Sequence, residues 1–112
     1  MPRADTFISY LLEMLEDLGA VRVKRMFGGY GIYSDDIFFA IVVDNILYIK
    51  ADDLNRQLFE AKGLPRFTYK RKGRDCTMSY YMAPEEALED KDELYLWATK
   101  GYEAALRGKK KA

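Results

Sequence analysis

The sequence contains no histidine and a single cysteine, Cys76. The first absence removes the commonest general base. The two together remove most zinc and transition-metal sites, which draw on several His and Cys ligands. A lone cysteine also excludes an intrachain disulfide, which fits a reducing, cytoplasmic setting. Cys76 falls in a stretch that reads as strand, with no histidine to activate it, and so reads as a small buried hydrophobe. No Ser-centred nucleophile elbow is present. Asp35-Asp36 and Asp52-Asp53 read as turn and capping residues before they read as acid–base pairs. No catalytic, cofactor-binding or metal-binding residue is therefore assigned, and an enzyme is the least supported class.

Long apolar runs are missing as well. The longest, Ile37 to Val43, is far too short to cross a bilayer as a helix, so no membrane association is expected. The start, Met1-Pro2-Arg3-Ala4-Asp5, lacks a basic segment followed by an apolar one, and no signal peptide is expected. Net charge is absent too: 18 Lys and Arg cancel 18 Asp and Glu. That balance gives no bulk attraction to DNA, which rests on a clustered basic surface. The distribution is uneven, however. Residues 21–82 carry 11 basic against 7 acidic residues, whereas residues 1–20 carry 1 against 4. Any basic face belongs to the middle of the chain. With 112 residues, 49% apolar and 32% charged, the profile is that of one globular domain spanning residues 1–112.

What is present begins with the stretch Val21 to Lys50. Apolar, β-branched runs are cut there at short intervals by Gly28-Gly29, Asp35-Asp36 and Asp44-Asn45. Gly28 and Gly29 accept φ > 0 without a Cβ clash, and the two-residue polar breaks have the spacing of tight hairpins. Strands joined so closely form an antiparallel meander, since a parallel crossover needs a dozen or more residues. The run Ile37 to Val43 does not alternate, which predicts cover on both faces. Helices are expected on one face. The C-terminal helix or a second subunit is expected on part of the other.

Around the meander three helices are predicted. Asp5 to Leu18 repeats Phe7, Tyr10, Leu11, Met14 and Leu18 at helical spacing, with Leu15 widening the stripe. Asp5 or Thr6 is placed as its cap, and Gly19 as its stop. Its acidic face, Glu13, Glu16 and Asp17, reads as a solvated surface. Asp53 to Lys62 follows an Asp52 cap, with Leu54, Leu58, Phe59 and Ala61 as its apolar side and Gly63 as its end. After a short turn at Glu85–Leu88, entered through Pro84, Asp90 starts a helix reaching about Arg107. Leu94, Trp97, Ala98, Gly101, Tyr102 and Ala105 mark one face of it. A glycine in mid-helix lowers helix stability by about 1 kcal/mol relative to Ala, so Gly101 predicts close packing there. Gly108 to Ala112 reads as a frayed charged end.

A second hairpin is predicted from Phe67 to Met82, with Gly73-Arg74 as its turn. Lys70, Lys72 and Arg74 gather on it, with Tyr69 or Tyr81 available for stacking. Charge on an edge hairpin also guards against edge-to-edge pairing, and that reading is preferred. The segment Phe27-Gly28-Gly29-Tyr30-Gly31 offers backbone N–H groups to an anion. A phosphate loop, though, feeds a helix and carries Lys-Ser/Thr, and here strand follows strand. It reads as a tight, twisted β-turn.

The fold class that emerges is α+β. It is an antiparallel meandering sheet of about five to six strands with an N-terminal helix, a short middle helix and a C-terminal helix. Arg25-Met26-Phe27-Gly28-Gly29-Tyr30-Gly31-Ile32-Tyr33 carries a resemblance. So do Phe39-Ala40, Leu47-Tyr48-Ile49-Lys50-Ala51-Asp52, Phe67-Thr68-Tyr69 and Met78-Ser79-Tyr80-Tyr81 before Pro84. Together they resemble the N-terminal domain of the TfoX/Sxy family, over about residues 7–107. The block Arg25, Met26, Phe27, Gly28, Gly29 and Gly31 is its structural motif. The resemblance implies a cytoplasmic bacterial protein that tends to dimerise. It implies a role around transcription, with the transcription machinery or the cyclic-AMP receptor protein as partner. It supplies no catalytic residues. Full-length regulators carry a second, C-terminal helical domain with no counterpart in this sequence, so a single-domain member is expected.

The leading functional expectation is a non-catalytic regulatory and protein-interaction module. The alternative is direct nucleic-acid binding through Arg22, Lys24, Arg25, Lys70, Lys72 and Arg74. A symmetric homodimer, in which an exposed apolar edge or face of one sheet meets its copy, is also expected, because Tyr95, Trp97 and Tyr102 exceed what one helical stripe needs for a small sheet.

Overall fold

Successive β-branched runs separated by two-residue breaks give a sheet before anything else. The computed structural model describes residues 4–26 and 28–111, with side chains described for 6–26 and 28–109. Phe27 of the glycine-rich motif and the Asp5 side chain lie outside the described residues. The strands are β1 (Val21–Met26), β2 (Gly29–Ser34), β3 (Ile37–Val43), β4 (Ile46–Lys50), β5 (Arg66–Arg71) and β6 (Arg74–Met82). They form one six-stranded sheet in the order β1-β2-β3-β4-β6-β5, with every pairing antiparallel. Helices α1 (Ala4–Met14), α2 (Arg56–Ala61) and α3 (Lys91–Lys111) complete an α+β fold.

The turns have the chemistry their residues suggest. Asp35 and Asp36 sit at φ +49° and +67°, Asp44 and Asn45 at +53° and +62°. Two successive positive φ values make the turn whose twist matches that of the flanking strands. Asp and Asn tolerate the left-handed region better than other residues with a side chain. In the second hairpin the turn is Lys72-Gly73, at φ +54° and +77°. It is one residue earlier than expected, because Arg74 is needed in β6 opposite Arg71.

The unalternating run in β3 has a specific cause. Ile32 pairs with Ala40 and Tyr33 with Phe38, so Phe39 is an extra residue in a β-bulge. The bulge sends both Phe39 and Ala40 into the core beneath the helices, together with Val42. Phe38, Ile41 and Val43 face the other way. The strand therefore alternates, with one slip.

All three helices pack on one face of the sheet. Leu11 and Leu15 from the N-terminal segment, Phe59 from α2, and Leu94, Trp97 and Ala98 from α3 share one core cluster with Ile32, Val42 and Ile49. The C-terminal helix packs mainly on this first face, and only its end, at Ala105, Gly108 and Lys109, borders the second face, beside Phe38, Lys50 and Tyr80. Gly101 explains itself: a Cβ there would meet Ile49 Cγ2 at 2.4 Å and the Phe39 carbonyl oxygen at 3.3 Å. Its absence lets α3 lie directly on the strands.

Several helical expectations are corrected. α1 ends at Met14, and Glu16–Leu18 forms a separate 3-10 turn before Gly19 at φ +109°. The buried residue of its first turns is Ile8, whereas Tyr10 is exposed and donates its hydroxyl to the Leu88 carbonyl. Thr6 lies inside the helix instead of capping it. α2 starts only at Arg56, and Asp52 caps the turn ahead of it, accepting from the N–H of Leu54 at 3.0 Å and of Asn55 at 3.2 Å. Of its four expected apolar residues only Phe59 is buried; Leu54 is 73% exposed. Two helical turns give room for one anchor, and Phe59 takes it, stacked on Tyr81 at 5.3 Å and against Trp97 at 5.0 Å. Gly63, at φ +68°, closes α2 as expected, with Gly63 N–H donating to Glu60 and Leu64 N–H to Phe59. Asp90 caps α3, whose helical backbone runs through Lys111.

Candidate functional site

The helix-free face of the sheet is built from the alternate residues of each strand. Gly31 in β2 forms part of its floor. A Cβ there would meet Met26 Cε at 2.5 Å and Phe38 at 2.9 Å, so the missing side chain lets both lie across the strand. Tyr33 stacks on Phe38 at 5.1 Å, and Phe38 approaches Tyr80 at 6.0 Å. Tyr48 packs on Phe67 at 4.9 Å, and Phe67 on Tyr69 at 6.0 Å. Lys50 lies over the Tyr80 ring at 5.2 Å. Burial pushes the Tyr80 hydroxyl up to about 12, with the neighbouring Tyr33 adding to the shift. Tyr48 is raised in the same direction by burial first and by the Asp44 carboxylate second. These phenols stay neutral at physiological pH and offer hydrogen bonds without charge.

This face is concave. β4 pairs only with Tyr80–Met82 of β6, so Arg74–Met78 run on past it with β5 as their strand partner. A register shift between Arg66 and Thr68 bends this arm. Phe67, Tyr69 and Arg71 of the outermost strand consequently line the same groove as Met26, Phe38 and Val43 of the meander. The groove holds about 770 Å³, with Ile41, Tyr48 and Met78 in its floor and Asp44, Thr68 and Arg71 at its exposed rim. Among the described residues no buried side-chain nitrogen or oxygen lacks a hydrogen-bond partner. No group of three or more His, Cys, Asp or Glu among them is arranged to hold a metal ion. No helix among them is long and apolar enough to cross a membrane.

The six basic residues singled out in the sequence do not form one patch. Arg22 and Lys24 pair across to Tyr33 and Gly31 and so share the open face at the β1 edge. Arg22 is bonded to Asp36. Arg25 is opposite Tyr30, covers its ring at 5.9 Å, and belongs to the other face, since Tyr30 in turn pairs with the core residue Val42. Lys70 pairs with Asp75 at 3.5 Å. Lys72 is at the turn, and Arg74 lies opposite Arg71 on the β5 edge. Tyr69 is exposed beside Arg71, whereas Tyr81 is buried and bonded to Glu60 at 2.7 Å, which removes it as a stacking platform. In the motif, Gly28 takes φ +74° with open space around it. Gly29 has no such strain, but a Cβ there would meet the Val42 carbonyl oxygen at 2.3 Å.

Sequence reasoning missed the groove itself and the role of Arg71 in it. The signal was present as the period-two series Phe67, Tyr69, Arg71 and Met78, Tyr80, on strands whose other face is polar. It also missed Asn55, which is buried and holds three segments together. Its Oδ1 accepts from Asp52 N–H at 2.8 Å, and its Nδ2 donates to the Lys100 carbonyl at 3.0 Å and more weakly to that of Lys50. Arg107 then clamps the same corner, giving Asp52 hydrogen bonds of 2.6 and 2.9 Å. That guanidinium holds the Asp52 carboxyl below its ordinary value. This constellation ties α3 to the end of β4 and is structural.

Comparison with known proteins agrees with the resemblance carried by the motif. The chain is 32% identical over 97 residues to Protein Sxy of Escherichia coli (strain K12), covering 87% of this chain and 46% of that protein. It is 31% identical over 71 residues to DNA transformation protein TfoX1 of Aliivibrio fischeri, covering 63% of this chain and 34% of that protein. It thus spans less than half the length of these curated relatives. The family described as the TfoX N-terminal domain matches residues 13–105, which takes in the whole sheet, and the chain belongs to that family.

Proposed function

We propose that the chain is a non-catalytic regulatory interaction module of the cytoplasm that works through the helix-free face of its sheet. The observation that carries this reading is the groove of about 770 Å³ left on that face, floored by side chains such as Ile41, Tyr48 and Met78. A face of this kind marks an interaction surface more often than an unused one. One relative is named a DNA transformation protein, and the match to the TfoX N-terminal domain family supports a competence-regulator-like setting. The partners to test are RNA polymerase and the cyclic-AMP receptor protein. Immobilised chain should retain one of these purified proteins, and Met78→Glu should release it. Retention of neither, or equal retention by the variant, sinks the reading.

A homodimer belongs to the same proposal, joined outside the groove. Trp97 and Tyr102 no longer support it, since they pack against Phe59 and Phe39 within the chain. Exposed Leu54 and Leu96 on the helix layer offer apolar surface instead. Sedimentation equilibrium should give twice the 13.0 kDa chain mass at micromolar concentration.

Direct nucleic-acid binding keeps one supporting observation: Lys24 and Arg74 flank the aromatic face from its two edges. Binding to generic duplex DNA that weakens steeply with salt would favour it, and no binding at low salt removes it.

A further inference from the structure

We infer that the groove is the docking site of a linear protein segment whose large apolar side chains are flanked by carboxylates. The inference rests on the interaction-module reading and names the chemistry of its partner. Charge is segregated between the two layers of the fold. The sheet segments 21–50 and 66–82 carry nine Lys and Arg against four Asp and Glu, which leaves the helical remainder with the opposite imbalance. Around the groove the cations are Arg71 at its rim, Lys72 at the tip of the arm and Arg74 opposite Arg71. Among the described residues none of these three has a carboxylate within ion-pair distance. An acidic segment would complement them.

The floor selects among occupants. Met26 and Met78 contribute flexible thioethers, which repack around varied side chains. A small molecule needs several convergent buried polar groups to fix its orientation; here both charged groups lining the groove, Asp44 and Arg71, are exposed, and the floor offers little beyond the Tyr48 phenol. A second copy would present the same concave surface, and two concave faces do not fill each other in an isologous pair. A nucleic-acid strand would meet the Asp44 carboxylate at the rim. Its phosphates would also find their cations split between β1 and β5, edges separated by about 24 Å at ~4.8 Å per strand spacing. A peptide has no such conflict: its N–H groups suit Asp44, and its carboxylates suit the arm.

The test is a display selection of random peptides of about twelve residues on the purified chain. Two exposed-residue variants that keep the fold, Tyr69→Ala and Arg71→Glu, serve as comparisons. The enriched peptides should carry two or three large apolar residues among Asp and Glu. A synthetic copy should bind each variant about tenfold more weakly than the parent. Enrichment of basic or neutral peptides, equal affinity for both variants, or no enrichment overturns the inference. So does an oligothymidylate of about twenty nucleotides that binds the parent and loses affinity in Arg71→Glu. A dimer abolished by Tyr69→Ala would assign the groove to a second copy and overturn it too. Retention of polymerase or the cyclic-AMP receptor protein alongside a failed selection would leave the module reading standing and remove only the peptide chemistry.

Discussion

On the helix side of the sheet, Ile32, Val42, Leu47 and Ile49 are each buried to 2% exposure or less. On the other side Phe38, Val43, Tyr48 and Met78, from overlapping strands, remain half-buried. Composition does not separate the two sides, since both are apolar and aromatic. Completion separates them. One side receives three helices, a glycine that admits α3 and a buried asparagine that ties the corner. The other receives its own bent arm and, at one corner, the end of α3. The chain thus buries enough on one side to fold and leaves much of the other without a helix.

The comparison breaks most sharply at Phe59. It is fully buried between Tyr81 and Trp97, and Phe59→Ala should lower stability by about 3–5 kcal/mol in urea unfolding. A loss below about 1 kcal/mol would show that α2 is not part of the core. Next come the glycines of the β1–β2 turn, each for its own reason. Gly29→Val drives Cβ into the Val42 carbonyl and should lose about 2–3 kcal/mol. Gly28→Val meets only backbone strain at φ +74° and should lose more than about 1 kcal/mol. Parent-like midpoints for both would make the turn ordinary.

The Asp52–Arg107 clamp should contribute less, because both side chains retain some exposure. Asp52→Asn keeps the turn acceptor and should lose about 1 kcal/mol at neutral pH. The folded carboxyl is lowered, so the folded protein binds fewer protons than the unfolded chain near the carboxylate range. The contribution is whole above the unfolded value of about 4 and is lost as pH falls through the lower folded value. The gap between parent and variant should therefore close in acid. A gap that does not change with pH would remove the charge from the explanation. The smallest stability effect is expected on the open face: Tyr69→Ala should stay within about 0.5 kcal/mol of the parent.

Much of the helix side is legible in the sequence because its signals are local. Two-residue Asp and Asn breaks announce hairpins, and Leu94, Trp97, Ala98 and Gly101 announce a face and a close approach. The β3 bulge is not legible, since an extra residue in one strand is defined only by its partner's register. The run Ile37 to Val43 therefore reads as unalternating when it slips once, at Phe39. The groove is hidden for a related reason. It joins β2 and β3 to β5, far apart in strand order, through a bend that no single segment encodes. The spread of Arg22, Lys24, Arg25, Lys70, Lys72 and Arg74 over edges and faces follows from the same strand order.

Val42 and Val43 allow the two sides to be tested with one substitution in one strand. They are adjacent and chemically identical, but Val42 is 1% exposed beneath the helices while Val43 lines the groove. Urea unfolding of Val42→Glu and Val43→Glu, at two protein concentrations, compares them directly. Val42→Glu should lose about 4 kcal/mol or more, or fail to fold, because a carboxylate would be buried without a partner. Val43→Glu should lose about 1 kcal/mol or less at either concentration. Equal losses from the two would mean that the second face is as fully covered as the first, and would contradict the account.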